Sequence, residues 1–157
     1  MRLLSIDPGS KTLGWCIWEN AEPRWWGEID CTKEDYAARF QKIIEGLKLL
    51  RYSYWFEEVC CEQAVRFKGK KIPELEVAVV SIRKFCKTEK LPCVFYNPAT
   101  AKAAVAEDPR ATKETVAAYV YALYPNLPHN LSSHVTDAVS IGHFHLSLRR
   151  LAEMASG

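Results

Sequence analysis

Three acidic side chains in this sequence stand where acids are costly. Asp7 closes the apolar run that begins at Arg2, and Glu62 closes the run Trp55-Phe56-Glu57-Glu58-Val59-Cys60-Cys61. Asp137 sits in a helical stretch with Ala138, Val139, Ile141 and Phe144 around it. Each has a local explanation: a turn cap at Pro8-Gly9, an edge charge, and a carboxylate in a helix first turn. Taken together they ask for more, because a buried carboxylate costs several kcal/mol unless it is paired or binds a metal. A divalent cation shared by all three removes that penalty. His134, three residues before Asp137, falls on the same helical face and reaches the same point. With Ser133 as N-cap, the positive helix end disfavours protonation, so a neutral imidazole is expected.

The elements that must position these groups follow from periodicity and turn chemistry. Residues 2–7, 14–19 and 24–29 are short apolar runs at hairpin separations, which predicts three antiparallel strands. Thr32 as N-cap, Asp35 three later and apolar positions 36, 37, 40, 43, 44, 47 and 50 predict a helix over 33–51. A fourth strand is expected at 55–61. Pro73 opens a helix to about Lys87, and a fifth strand runs over 92–96. Helices near 100–106, from Thr112 to about Tyr124 and from about His134 to Ala155 complete the chain. Strand, helix and strand in alternation predict an α/β layered domain over residues 1–157. If the first and fourth strands are parallel neighbours, Asp7 and Glu62 share the C-terminal sheet edge, where open α/β sheets place their sites.

Composition narrows the partners only slightly. The 157 residues carry a formal net charge of +2, too little to announce a polyanion binder alone. The basic charge is clustered, in Arg66, Lys68, Lys70 and Lys71 and again in Arg149-Arg150. The six cysteines form no C-x-x-C pair, and Cys60 and Cys61 point to opposite strand faces, so buried reduced thiols are expected rather than a zinc site. No run approaches 18 apolar residues, and Asp7 and Pro8-Gly9 interrupt the N-terminus before a signal segment could form. A soluble intracellular protein without a membrane partner is expected, in cytoplasm or on a nucleoid, in host cytoplasm if viral, with an organelle also open.

The segment Ile6-Asp7-Pro8-Gly9-Ser10-Lys11-Thr12-Leu13-Gly14-Trp15 resembles the first motif of the RuvC-type Holliday junction resolvases, members of the RNase H-like superfamily. Cys61-Glu62-Gln63 resembles their second acidic strand, and His134-Val135-Thr136-Asp137-Ala138-Val139 their closing helix. Pro98-Ala99-Thr100-Ala101-Lys102, with Lys113 eleven residues later, matches a further pair of lysines that supports catalysis. The resemblance spans residues 3 to about 145. It implies an RNase H-like fold, a five-stranded mixed sheet with helices on both faces, and a dimeric, metal-dependent endonuclease acting on branched DNA, four-way junctions above all.

It also implies roles. Asp7 would bridge two divalent ions, Mg²⁺ or Mn²⁺, with Glu62 on one side and Asp137 with His134 on the other. His134 stands open between inner-sphere ligand and proton-handling neighbour of the attacking water, and as a ligand it would favour Mn²⁺. Lys102 and Lys113 either contact a phosphate at the cut or are solvated helix charges. Arg66, Lys68, Lys70 and Lys71 would track DNA phosphates. Phe67 either stacks on an unpaired base or tucks into the core. His143 and His145 match no motif position and are expected to be ordinary surface or packing residues. Two features depart from the family: Ala106-Glu107-Asp108-Pro109-Arg110 replaces a glycine-containing turn, and Phe67 is shifted from the wedging aromatic's usual place. Three other readings compete: an actin-like kinase or ATPase, for which the chain is too short, an RNA-processing relative of the same fold, and a non-catalytic junction binder.

Overall fold

The computed structural model describes residues 1–63, 69–70 and 72–157. Strands β1 (Arg2–Pro8), β2 (Thr12–Glu19) and β3 (Glu22–Asp30) form an antiparallel meander. Helix α1 (Tyr36–Tyr54) carries the chain across to β4 (Glu58–Glu62), which pairs parallel with β1. Helix α2 (Pro73–Glu89) leads to β5 (Cys93–Tyr96), parallel to β4. Helices α3 (Pro98–Ala106), α4 (Lys113–Leu123) and α5 (Ser133–Ser156) follow. The strand order is β3-β2-β1-β4-β5, the five-stranded mixed sheet expected.

Strand alternation divides the core in two. Leu4, Ile6, Ile17, Val59 and Cys61 face Ile43, Leu47, Ile82 and Phe85 of α1 and α2. Leu3, Cys16, Trp18 and Cys60 face Val116, Val139, Ile141 and Phe144 of α4 and α5. Cys60 and Cys61 thus fall in different layers, and all six cysteines are free thiols.

Helix α5 lies unusually close to the sheet, and two glycines permit it. A Cβ on Gly142 would stand 2.2 Å from Trp18 Nε1, and one on Gly14 only 2.0 Å from the carbonyl oxygen of His134. The second contact is backbone against backbone and cannot be relieved by a rotamer. Gly14→Ala is therefore expected to destabilise the fold by about 3 kcal/mol, the upper range for overpacking, measured as a lowered urea midpoint. An unchanged midpoint would mean that α5 is not seated on β2 at this point.

The boundaries that differ from expectation do so through caps. Asp30 takes both the amide (2.9 Å) and the hydroxyl of Thr32, so Thr32 is not free to cap. Asp35 caps instead, accepting from Ala38 N at 2.8 Å, and α1 begins at Tyr36. The helix also runs three residues further, ending with Trp55 in a left-handed cap, so β4 starts at Glu58 rather than 55. Asn97 caps α3, which begins at Pro98. Helix α5 is capped by Ser132, one residue before the expected Ser133.

Candidate active site

Parallel pairing places Ile6 opposite Cys61, so the next residues, Asp7 and Glu62, emerge side by side at the C-terminal edge of β1 and β4. Both point toward α5, on the face that carries Leu3 and Cys60. The N-terminal part of α5 crosses there, bringing His134 Nδ1 to 3.8 Å from Asp7 Oδ2 and Asp137 into the same cleft. The cleft is lined by Asp7, Glu62, His134 and Asp137, with Lys102 of α3 and Lys113 of α4. Six residues from five elements thus meet at one point.

Their electrostatics are those of crowded, half-dry acids. Burial, a hydrogen bond with the Asp7 side chain and the nearby charges of Asp7 and Asp137 hold the Glu62 carboxyl far above the usual carboxylate range. Asp137 is raised to about 6, chiefly by burial and then by Asp7. Lys102 opposes both shifts, and Lys113 opposes that of Asp137, which places both ammonium groups within electrostatic reach of the carboxylates. His134 departs from expectation. The Asp7 carboxylate beside the ring raises the imidazole pKa, and burial only partly offsets this. The helix end was expected to keep the ring neutral. A full carboxylate charge against the ring outweighs the roughly half-charge of a helix terminus.

A family model described as "Crossover junction endodeoxyribonuclease RuvC" matches residues 3–145. The chain belongs to that family. A RuvC crossover junction endodeoxyribonuclease of Oleidesulfovibrio alaskensis is 26% identical over 167 residues, covering 99% of this chain and 96% of the relative. One from a Sulfurovum species is 28% identical, covering 93% of this chain and 95% of the relative. In structure the chain is similar to Thermus thermophilus RuvC, with a TM-score of 0.81, 21% identity and 97% of each chain covered. It is likewise similar to that protein in complex with a Holliday junction substrate, at a TM-score of 0.83 and 21% identity, with 97% and 96% covered. These likenesses show the RNase H-like fold. The RuvC family carries divalent-metal dependence with it.

Within this RuvC-family chain the structure places the remaining expected residues as follows. Lys70 is exposed, while Arg66, Phe67, Lys68 and Lys71 lie outside the described residues. His143 and His145 are outside the cleft, and of the two expectations, surface or packing, the structure shows packing. His143 Nδ1 lies 2.6 Å from the Tyr124 hydroxyl. His145 Nδ1 lies 2.6 Å from the Tyr96 hydroxyl, while its Nε2 lies 3.3 Å from Glu58, which also takes Arg149. That network ties α5 to Glu58 at the start of β4 and to Tyr96, the β5 residue registered with Glu62. Burial lowers both imidazole pKa values, as expected of neutral, hydrogen-bonded rings.

Sequence reasoning missed Arg39 of α1. It is only 5% exposed, and its guanidinium donates to the backbone carbonyl of Ser10 and, at 3.4 Å, to that of Glu34. Ser10 lines the cleft beside Asp7, so Arg39 anchors the turn that forms one wall. Ile72 and Leu75 also line the cleft. Neither contact carries a local sequence signal.

Proposed function

We propose that this protein is a divalent-metal-dependent structure-selective endodeoxyribonuclease that resolves four-way DNA junctions by paired nicking as a homodimer. The observation that carries this reading is the convergence of Asp7, Glu62 and Asp137 with two lysines in one cleft at the C-terminal edge of the sheet. Family membership supplies the substrate class. The RuvC from Thermus thermophilus, of the same fold, has been solved with a Holliday junction.

The donor set fits the ions the family implies. Among the described residues, no group of three or more His, Cys, Asp or Glu is arranged to hold a metal as it stands. The charge balance nonetheless calls for one. Glu62 and Asp137 resist ionisation because of burial and of the neighbouring acids, and a hard cation ligated by oxygen would favour their charged forms. Asp7, central to the cleft, would be shared between two ions, with Glu62 on one flank and Asp137 with His134 on the other. Two ions held there would supply an activated water, neutralise phosphoryl charge and stabilise the leaving 3′ oxygen.

The chain's own groups do the rest. Lys102 and Lys113 line the same cleft and offer positive charge to the phosphate at the cut or its neighbour. His134 faces Asp7 with Nδ1 at 3.8 Å, and the nearby carboxylate favours its protonated form, whereas binding a metal or taking a proton from water would need the neutral imidazole. Arg39 keeps the Ser10 turn in place as a rigid wall. Two copies are required because resolving a junction symmetrically takes two cuts.

The reading is tested by a cleavage panel of four-way, three-way, flap and duplex DNAs with Mg²⁺ and with Mn²⁺. Preference for the four-way junction, with two symmetric nicks, is the expected result. Equal cleavage of flaps and forks would instead assign a broader branched-DNA nuclease. In the same panel, His134→Asp protein should keep Mg²⁺ activity and lose part of its Mn²⁺ preference, since the imidazole is the one donor that favours a transition ion. An unchanged metal preference would remove His134 from the ligand set.

A further inference from the structure

A fourth acid stands in the same row of the sheet as the three already described. Asp7 on β1 is registered with Gly14 on β2, and Gly14 with Glu28 on β3. Directly opposed residues of antiparallel strands project to the same face, so Asp7 and Glu28 flank Gly14 on the side toward α5. Gly14 has no side chain there, and the backbone of His134 occupies the space a Cβ would need. The first turn of α5 therefore sits in a notch with Asp7 on one side and Glu28 on the other.

Glu28 makes a defined contact in that notch. Its carboxylate accepts the hydroxyl proton of Ser132, the N-cap of α5. The same Ser132 oxygen accepts from Val135 N at 3.3 Å. A serine hydroxyl has one proton and two lone pairs. By taking the proton, Glu28 turns a lone pair toward the helix and fixes the rotamer that caps it. It also places a negative charge beside a helix N-terminus whose own first turn carries no acid. Its charge reaches His134 as well.

We propose that Glu28 is a positioning residue of the active site. It pins the start of α5 through Ser132, and so sets where His134 and Asp137 stand relative to Asp7 and Glu62. The inference rests on the proposed nuclease reading for its catalytic consequence, but the tie itself is a property of the metal-free protein. Sequence reasoning had no access to it, because Glu28 and Ser132 are far apart in the chain and neither is unusual alone.

The test is a double-mutant cycle with Glu28→Ala, Ser132→Ala and the pair, together with Glu28→Gln, whose amide oxygen accepts the same hydroxyl. Single-turnover cleavage of a four-way junction with Mg²⁺ should slow about tenfold in Glu28→Ala, within the range for residues that orient ligands. The junction concentration at half-maximal rate should not change. In the Ser132→Ala background Glu28→Ala should cost nothing further, and Glu28→Gln should stay within about twofold of wild type. Amide hydrogen exchange without metal gives a readout independent of cleavage: Val135 and Thr136 should exchange faster in Glu28→Ala and keep wild-type protection in Glu28→Gln. An unchanged rate in Glu28→Ala, an equal loss in the Ser132→Ala background, or a Glu28→Gln protein as slow as Glu28→Ala would each overturn the proposal. If wild-type protein cut no junction, the nuclease reading would fail and exchange at Val135 and Thr136 would decide the tie alone.

Discussion

Asp7→Asn protein is expected to bind a four-way junction as wild type does and to cut it on the order of 10³-fold more slowly, or not at all. Asp7 is the residue the site is built around. It is 8% exposed, stands beside Glu62 at the sheet edge, and faces His134 from β1. Asparagine has the same shape, so the packing of β1 against α5 should survive and the loss should be chemical. What asparagine lacks is the negative charge that a shared divalent ion requires. Binding should persist because the contacts proposed to hold DNA are the lysines and the basic run after Glu62, none of which changes. Single-turnover cleavage with Mg²⁺, beside gel-shift binding without metal, separates the two. Normal nicking by Asp7→Asn protein would place the catalytic centre elsewhere.

The difference between what the sequence disclosed and what it withheld has a physical pattern. Asp7, Glu62 and Asp137 were legible because each interrupts an apolar run, and an acid at the end of a buried strand advertises its own cost. The pairing of the first and fourth strands entered the sequence reading only as a condition, which the structure meets, and alternation separated Cys60 from Cys61 but did not by itself give the full strand order. Helix starts were less legible, because several short polar side chains compete for the same role within a few residues. Thr32 was disqualified by Asp30, and Ser132 was favoured over Ser133 by Glu28, a residue from a strand far away in sequence.

Charge states were the least legible, because they are set by partners the sequence does not place. The helix end alone argued for a neutral His134, and only the position of Asp7 across the sheet reverses this. His145 likewise looked ordinary until folding assembled Tyr96, Glu58 and Arg149 around it. In both cases the deciding neighbour comes from another element.

The second large effect concerns stability, and its sign follows from the same crowding. A carboxyl whose pKa is raised by folding holds a proton that the unfolded chain releases, so its contribution to stability falls as pH rises past the unfolded value. For Asp137 that decline starts near 3.8 and is complete above about 6, and for Glu62 it extends to higher pH. His134 adds to the trend, since a raised imidazole pKa stabilises below its unfolded value of 6.5 and loses that contribution as pH rises through the folded value. Metal-free protein should therefore be less stable at pH 8 than at pH 5. Asp137→Asn should reverse part of this, because the amide removes a charge the fold resists. A shift from 3.8 to about 6 corresponds to at most about 3 kcal/mol, or roughly 6–12 °C in thermal midpoint for a chain of this size. At pH 4 the variant and wild type should melt together. Added Mg²⁺ should raise the midpoint of wild type at pH 8 and do much less for Asp137→Asn, since a bound cation performs the neutralisation that the amide makes unnecessary. Thermal melts of both proteins at pH 4 and 8, with and without Mg²⁺, give the four differences directly. If Asp137→Asn were no more stable than wild type at pH 8, or if Mg²⁺ stabilised both equally, the cleft would not be the place where charge repulsion and metal binding meet.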